Sequence, residues 1–164
     1  MSAAVVELVS EGLERTVAIG AAVGGACAVG DVVLLDGELG AGKTQFVRGM
    51  ARGMGLDVAQ VSSPTFVLMR EYEGEGAGGD ALLVHIDAYR VGSAAELADA
   101  GFTAELRGQA VTAIEWADRV PGVVALDERV LGVRLSHLDG GRRAVELRGR
   151  AALVDAARLA CGDG

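Results

Sequence analysis

The chain has 164 residues, 51% of them hydrophobic, and a formal net charge of −8. That length fits one domain with a buried core, and the apolar content excludes disorder as a description of the whole. The acidity excludes the broad basic patch of a protein that grips nucleic acid unaided, so any contact with nucleic acid is expected to run through a partner.

Aromatics make up only 4% of the chain. The core must then come from Val, Leu, Ile and Ala, which suits a sheet covered by helices. Residues 10–27 are expected to form a helix capped by Ser10, with Leu13, Val17 and Ala21 at helical spacing and fraying at the glycines near its end. Asp31 to Asp36 is a short apolar run between Gly30 and Gly37, the pattern of a fully buried strand. A helix follows from Lys43 to about Met54. Ser62 to Thr65 reads as a loop, Phe66 to Tyr72 as a strand, and the acidic, glycine-rich Glu73 to Asp80 as a turn or mobile hairpin loop. Ala81 to Asp87 and Ala110 to Glu115 read as buried strands. Between them a short helix runs from Ser93 to Ala100, with Ser93 and Glu96 as a capping box. Val130 to Leu138 and Arg142 to Leu147 flank Asp139-Gly140-Gly141 as a β-hairpin, and Ala151 to Ala160 is a terminal helix. The expected class is α/β: a single domain over residues 1–164 with a central mixed β-sheet in a three-layer fold.

Cys27 and Cys161 lack metal-ligand spacing and read as incidental thiols. Glu7, Glu11 and Glu14 interrupt the N-terminal region before a signal-peptide core forms, and no apolar stretch is long enough to span a membrane; the cytoplasm is the expected compartment.

The chemistry centres on Gly37-Glu38-Leu39-Gly40-Ala41-Gly42-Lys43-Thr44, a complete G-x-x-x-x-G-K-T pattern between a strand and a helix. Glycines let backbone N–H groups approach phosphate oxygens, and the helix N-terminus adds partial positive charge. Gly37, Leu39, Gly40, Ala41 and Gly42 supply the cradle. Lys43 reaches the β- and γ-phosphates, and the Thr44 hydroxyl is an oxygen ligand for Mg²⁺.

Mg²⁺ at such a loop usually needs a carboxylate from a neighbouring strand. Asp87 and Glu115 each close an apolar run, which puts both at strand carboxyl ends, where ligands sit in open α/β sheets. Asp87 is expected to hold Mg²⁺ directly or through water. Glu115 is expected to orient or deprotonate an attacking water, or to bind Mg²⁺ from further out. Thr65 occupies the position of a γ-phosphate-sensing threonine, or is an ordinary turn residue after Pro64. His85 shares a strand face with Asp87 and either contacts the site or packs at the sheet's edge. His137 reads as a hairpin residue, the pair Arg142-Arg143 as part of the hairpin turn, and Arg48 and Arg52 as a solvated helix face. The lack of an N-K-x-D element favours ATP over GTP, and the lack of an arginine-rich lid argues against a nucleotide kinase.

The P-loop, Ser63-Pro64-Thr65-Phe66, His85-Ile86-Asp87-Ala88-Tyr89-Arg90 and Glu115-Trp116, in that order and spacing, resemble the TsaE (YjeE) family over roughly residues 30–120. The resemblance implies the ATPase component of the bacterial machinery that makes threonylcarbamoyladenosine in tRNAs reading ANN codons. It implies weak hydrolysis of ATP–Mg²⁺ that supports turnover of the partners TsaD and TsaB, with tRNA reached only through them. It also implies that Lys43 and Thr44 contact phosphate and Mg²⁺, that Thr65 is switch-like and that Asp87 is the Mg²⁺ carboxylate. Glu115 with Trp116 then lies beside the nucleotide, the indole either stacked on the base or packed near it. A small P-loop kinase and a non-hydrolysing ATP-dependent adaptor are the alternatives.

Overall fold

The computed structural model describes residues 3–61, 68–76 and 79–162. Seven strands and five helices follow one another as β1 (Ala4–Ser10), α1 (Leu13–Ala26), β2 (Val32–Gly37), α2 (Lys43–Gly53), β3 (Met69–Gly76), β4 (Gly79–Asp87), α3 (Ala94–Asp99), α4 (Ala104–Gln109), β5 (Val111–Glu115), β6 (Val130–His137), β7 (Arg143–Gly149) and α5 (Ala151–Ala160). All seven strands join one sheet, in the order β1-β7-β6-β2-β5-β4-β3.

The sheet is mixed. β2 pairs in parallel with β5 and β6, and β4 pairs in parallel with β5. The edges are antiparallel: β1 on β7, β7 on β6, and β3 on β4. The apolar runs explain the centre. Val32 and Val33 point to opposite faces yet are both fully buried, so β2 needs a hydrophobic layer on each side. On one face Val33 and Leu35 pack with Ile19, Val23, Phe46, Met50 and Leu153 of α1, α2 and α5. On the other face Val32, Ile86 and Ile114 pack with Leu97 of α3 and with Phe102, Val120 and Val124. The result is a helix–sheet–helix stack of three layers. Among the described residues no helix is long and apolar enough to cross a membrane.

Several local expectations change. Ser10 does not cap α1. It ends β1, an element the sequence reading lacked, and its Oγ donates to Gly12 O at 2.7 Å and shares a hydrogen bond of 2.8 Å with Thr16 Oγ1. α1 does not fray at its glycines, because Gly20 and Gly24 lie against the α2 backbone. The segment Glu73 to Asp80 is not all turn: β3 runs to Gly76 and β4 begins at Gly79, paired with it. Ser93 caps α3 as expected by accepting from Glu96 N–H, but the Glu96 carboxylate accepts from Gly92 N–H rather than from Ser93. α4, absent from the sequence reading, is capped by Thr103. Ser62 to Phe66 lie outside the described residues.

Candidate functional site

The site forms where β2, β4 and β5 end together. Register sets Leu35 and Asp87 each beside Glu115, so the parallel pairing brings Asp87 and Glu115 to one end of the sheet. Leu83, His85 and Asp87 alternate onto one face of β4, as Ala113 and Glu115 do on β5, and that face carries α2.

β2 runs straight into the phosphate loop. Gly37 adopts φ +153°, and a Cβ there would lie 2.5 Å from Leu135 O, so β6 leaves room only for glycine. Gly42 adopts φ +106° and starts α2 without a side-chain cap. The first bond that closes this helix runs from Phe46 N–H to Gly42 O, so the N–H groups before it have no helical carbonyl behind them. The result is an uncapped helix end with no acidic residue in its first turn, a suitable cradle for anions.

Lys43 Nζ donates to Gly37 O at 2.5 Å and to Glu38 O at 2.9 Å, and it lies 3.9 Å from the centre of the Trp116 ring. Burial lowers its pKa from the usual lysine value, while Glu115, Asp87, Asp36 and Asp118 pull the other way. Thr44 Oγ1 donates to both carboxylate oxygens of Glu115, at 3.0 and 3.1 Å. Glu115 is only 3% exposed, and the fully buried His85 places Nε2 2.5 Å from its Oε2. Of the two readings of His85, the structure supports contact with the site. Asp87 Oδ1 accepts from Tyr89 N–H at 3.0 Å. Trp116 takes a left-handed backbone at φ 57°, and its ring meets that of Tyr89 at 4.9 Å, with the Arg119 guanidinium on the Tyr89 ring.

These groups border a cleft of about 520 Å³ lined by Gly40, Lys43, Thr44, Asp87, Glu115 and Trp116, among others. Gly42 and the exposed Leu39 also line it, whereas Gly37 and the fully buried Ala41 do not. Thr65 lies outside the described residues. The donor set fits Mg²⁺: Thr44, Asp87 and Glu115 offer only oxygen, the ligand that this hard cation takes. Among the described residues no group of three or more His, Cys, Asp or Glu is arranged to hold a metal ion.

Sequence reasoning missed two contributors. Arg143 is not in the hairpin turn; it opens β7, and its guanidinium donates to Ala41 O and Gly40 O, both at 3.2 Å. His137, its register partner on β6, donates from Nε2 to Leu39 O at 3.3 Å. No local signal marks either residue, because only the pairing of β6 with β2 brings the hairpin to the loop. Arg48 also departs from expectation: it is half-buried and donates to Val61 O at 2.9 Å, whereas Arg52 is exposed as expected. Burial pushes the Cys27 thiol up to about 12, in keeping with an inert side chain.

A family model described as "Threonylcarbamoyl adenosine biosynthesis protein TsaE" matches residues 10–145. The tRNA threonylcarbamoyladenosine biosynthesis protein TsaE of Treponema pallidum is 36% identical over 137 residues, spanning 84% of this chain and 96% of that protein. The protein of the same name from Mycobacterium tuberculosis is 38% identical over 136 residues, spanning 77% of this chain and 78% of its own. Among solved structures, Bacillus subtilis YdiB superposes with a TM-score of 0.71 at 24% identity, covering 99% of this chain and 95% of that one, which establishes likeness of fold.

Proposed function

This chain belongs to the TsaE family, and from that premise we propose that it is the ATP-binding, ATP-hydrolysing component of the machinery that forms threonylcarbamoyladenosine in tRNA. Its hydrolysis is weak alone and is coupled to turnover of a TsaD–TsaB pair in the cytoplasm. One domain carries the whole site. With a net charge of −8, the chain reaches tRNA through those partners.

The observation that carries this reading is the bond from Thr44 to Glu115, which ties the end of the phosphate loop to a strand carboxylate. In this reading, the N–H groups of the loop and of the first turn of α2 bind the β- and γ-phosphates, and Lys43 leaves its carbonyl partners to join them. Thr44, Asp87 and Glu115 would hold Mg²⁺. The cation, when bound, supplies neutralisation of charge on the phosphate oxygens. Glu115, steadied by His85, also orients the attacking water and accepts its proton. The oxygen of that water bonds to the γ-phosphorus as the bond to the β-phosphate oxygen breaks, leaving ADP and phosphate.

ATP turnover by the purified chain, alone and mixed with a TsaD–TsaB pair, tests the proposal. Slow turnover that rises in the mixture and falls at least about a hundredfold in Lys43→Ala is the expected result. Turnover indifferent to the partners would overturn the coupling. Partner function that survives Glu115→Ala would instead favour a non-hydrolysing adaptor.

A further inference from the structure

The carbonyls of a phosphate loop are as constrained as its N–H groups. A trans peptide points the two in opposite directions, so a loop that turns N–H groups toward an anion turns C=O groups toward the protein. Here three consecutive carbonyls, those of Leu39, Gly40 and Ala41, are taken up by one hairpin end. His137 Nε2 donates to Leu39 O, and Arg143 donates from Nη2 to Gly40 O and from Nε to Ala41 O. The same guanidinium donates from Nη1 to Gly141 O at 2.9 Å and to Arg142 O at 3.1 Å, which fixes it to the turn between β6 and β7. Five donors in a planar fork allow this; a lysine ammonium reaches one or two such positions at most.

We propose that Arg143, with His137, is a positioning residue that presets the phosphate loop for the diphosphate of a nucleotide. Two effects act together. The clamp holds the loop in its binding shape before the ligand arrives, so less ordering is lost on binding. A cation on a peptide carbonyl also polarises that peptide unit and makes its N–H a stronger donor. Ala41 O shares a unit with Gly42 N–H, and Leu39 O shares one with Gly40 N–H. The unit of Gly40 O serves the loop itself, because Ala41 N–H donates to Glu38 O at 3.0 Å. Arg143 thus acts on the ligand through the backbone, from the side of the loop away from the cleft.

This inference rests on the nucleotide reading above. The test is calorimetric titration of Mg–ADP into the wild type, Arg143→Gln, Arg143→Lys and Arg142→Gln. Arg142 donates from Nε to Asp139 O and serves as the control. The expected result is a loss of ADP affinity of about tenfold in Arg143→Gln, a smaller loss in Arg143→Lys, and none in Arg142→Gln. KM for ATP should rise with kcat unchanged, because the carboxylates of the site are untouched. Wild-type ADP affinity in Arg143→Gln would overturn the inference, as would a fall in kcat at constant KM. If Arg143→Gln does not fold, Arg143→Lys decides: intermediate affinity supports the clamp and wild-type affinity overturns it. A wild type that binds no ADP would overturn the nucleotide reading and this inference with it.

Discussion

Asp36 stands one residue before the phosphate loop, and its Oδ1 accepts from Asp118 N–H at 2.9 Å. Burial raises its pKa above the ordinary carboxylate value; the neighbouring Asp118 carboxyl adds to the rise, while the Asp118 N–H and Arg134 oppose it. A raised folded pKa favours the protonated form. The contribution to stability is therefore complete below the ordinary value of 3.8 and is lost as pH rises through the folded value. Asp36→Asn should be more resistant to urea than the wild type at pH 7, and the gap should close as the pH is lowered toward 4. A gap independent of pH would contradict this. At this scale the sequence revealed what is local. Lys43 and Thr44 are legible because the backbone around them makes their chemistry. Arg143 is not, because a distant strand gives it its task. His85 lay between: the strand period gave its face, but only the β4–β5 register gave it Glu115 as a partner.

Between elements, the seam that matters most to the loop is that of α1 with α2. Gly20 and Gly24 on α1 lie against the backbone of Phe46, Gly49 and Met50 on α2, and Gly49 and Gly53 on α2 lie against that of Val17, Gly20, Ala21 and Gly25 on α1, each pair spaced by four. A Cβ on Gly49 would come within 2.1 Å of Val17 O, and one on Gly53 within 2.0 Å of Ala21 O. Backbone touches backbone here, so the neighbour cannot yield as a flexible side chain would. Alanine improves helix propensity by about 1 kcal/mol, but forced separation of two packed helices costs more. Gly49→Ala should lower the free energy of unfolding by at least about 2 kcal/mol, measured by urea denaturation. Gly108 in α4 makes the contrast, since nothing lies within 4 Å of its Cβ position. Gly108→Ala should raise stability by about 0.4–1 kcal/mol in the same assay. The matching spacing was visible in the sequence, but glycine near a helix end also reads as a weak helix. Only the partner helix decides between the two.

Across the whole molecule, the parallel centre was legible because strands buried on both faces are continuously apolar. The edges were not. β1 is half-exposed, and it is a strand because β7 pairs with it. The phosphate loop joins the central strand to α2, so a ligand there should stabilise the entire fold. Mg–ADP at a hundred times its Kd should add about 2.7 kcal/mol and raise the melting temperature, and Lys43→Ala should lose most of that rise. The placement of β1 also sets the order in which the fold can be completed. Ser10 faces Arg143 and Ala4 faces Gly149, so β1 is synthesised long before its neighbour in the sheet exists. At about 5–20 residues per second, a ribosome leaves that strand waiting for roughly 7 to 30 s. Val6 and Leu8 have no partner strand in that interval, so β1 can enter the sheet only after every other strand of it has been made.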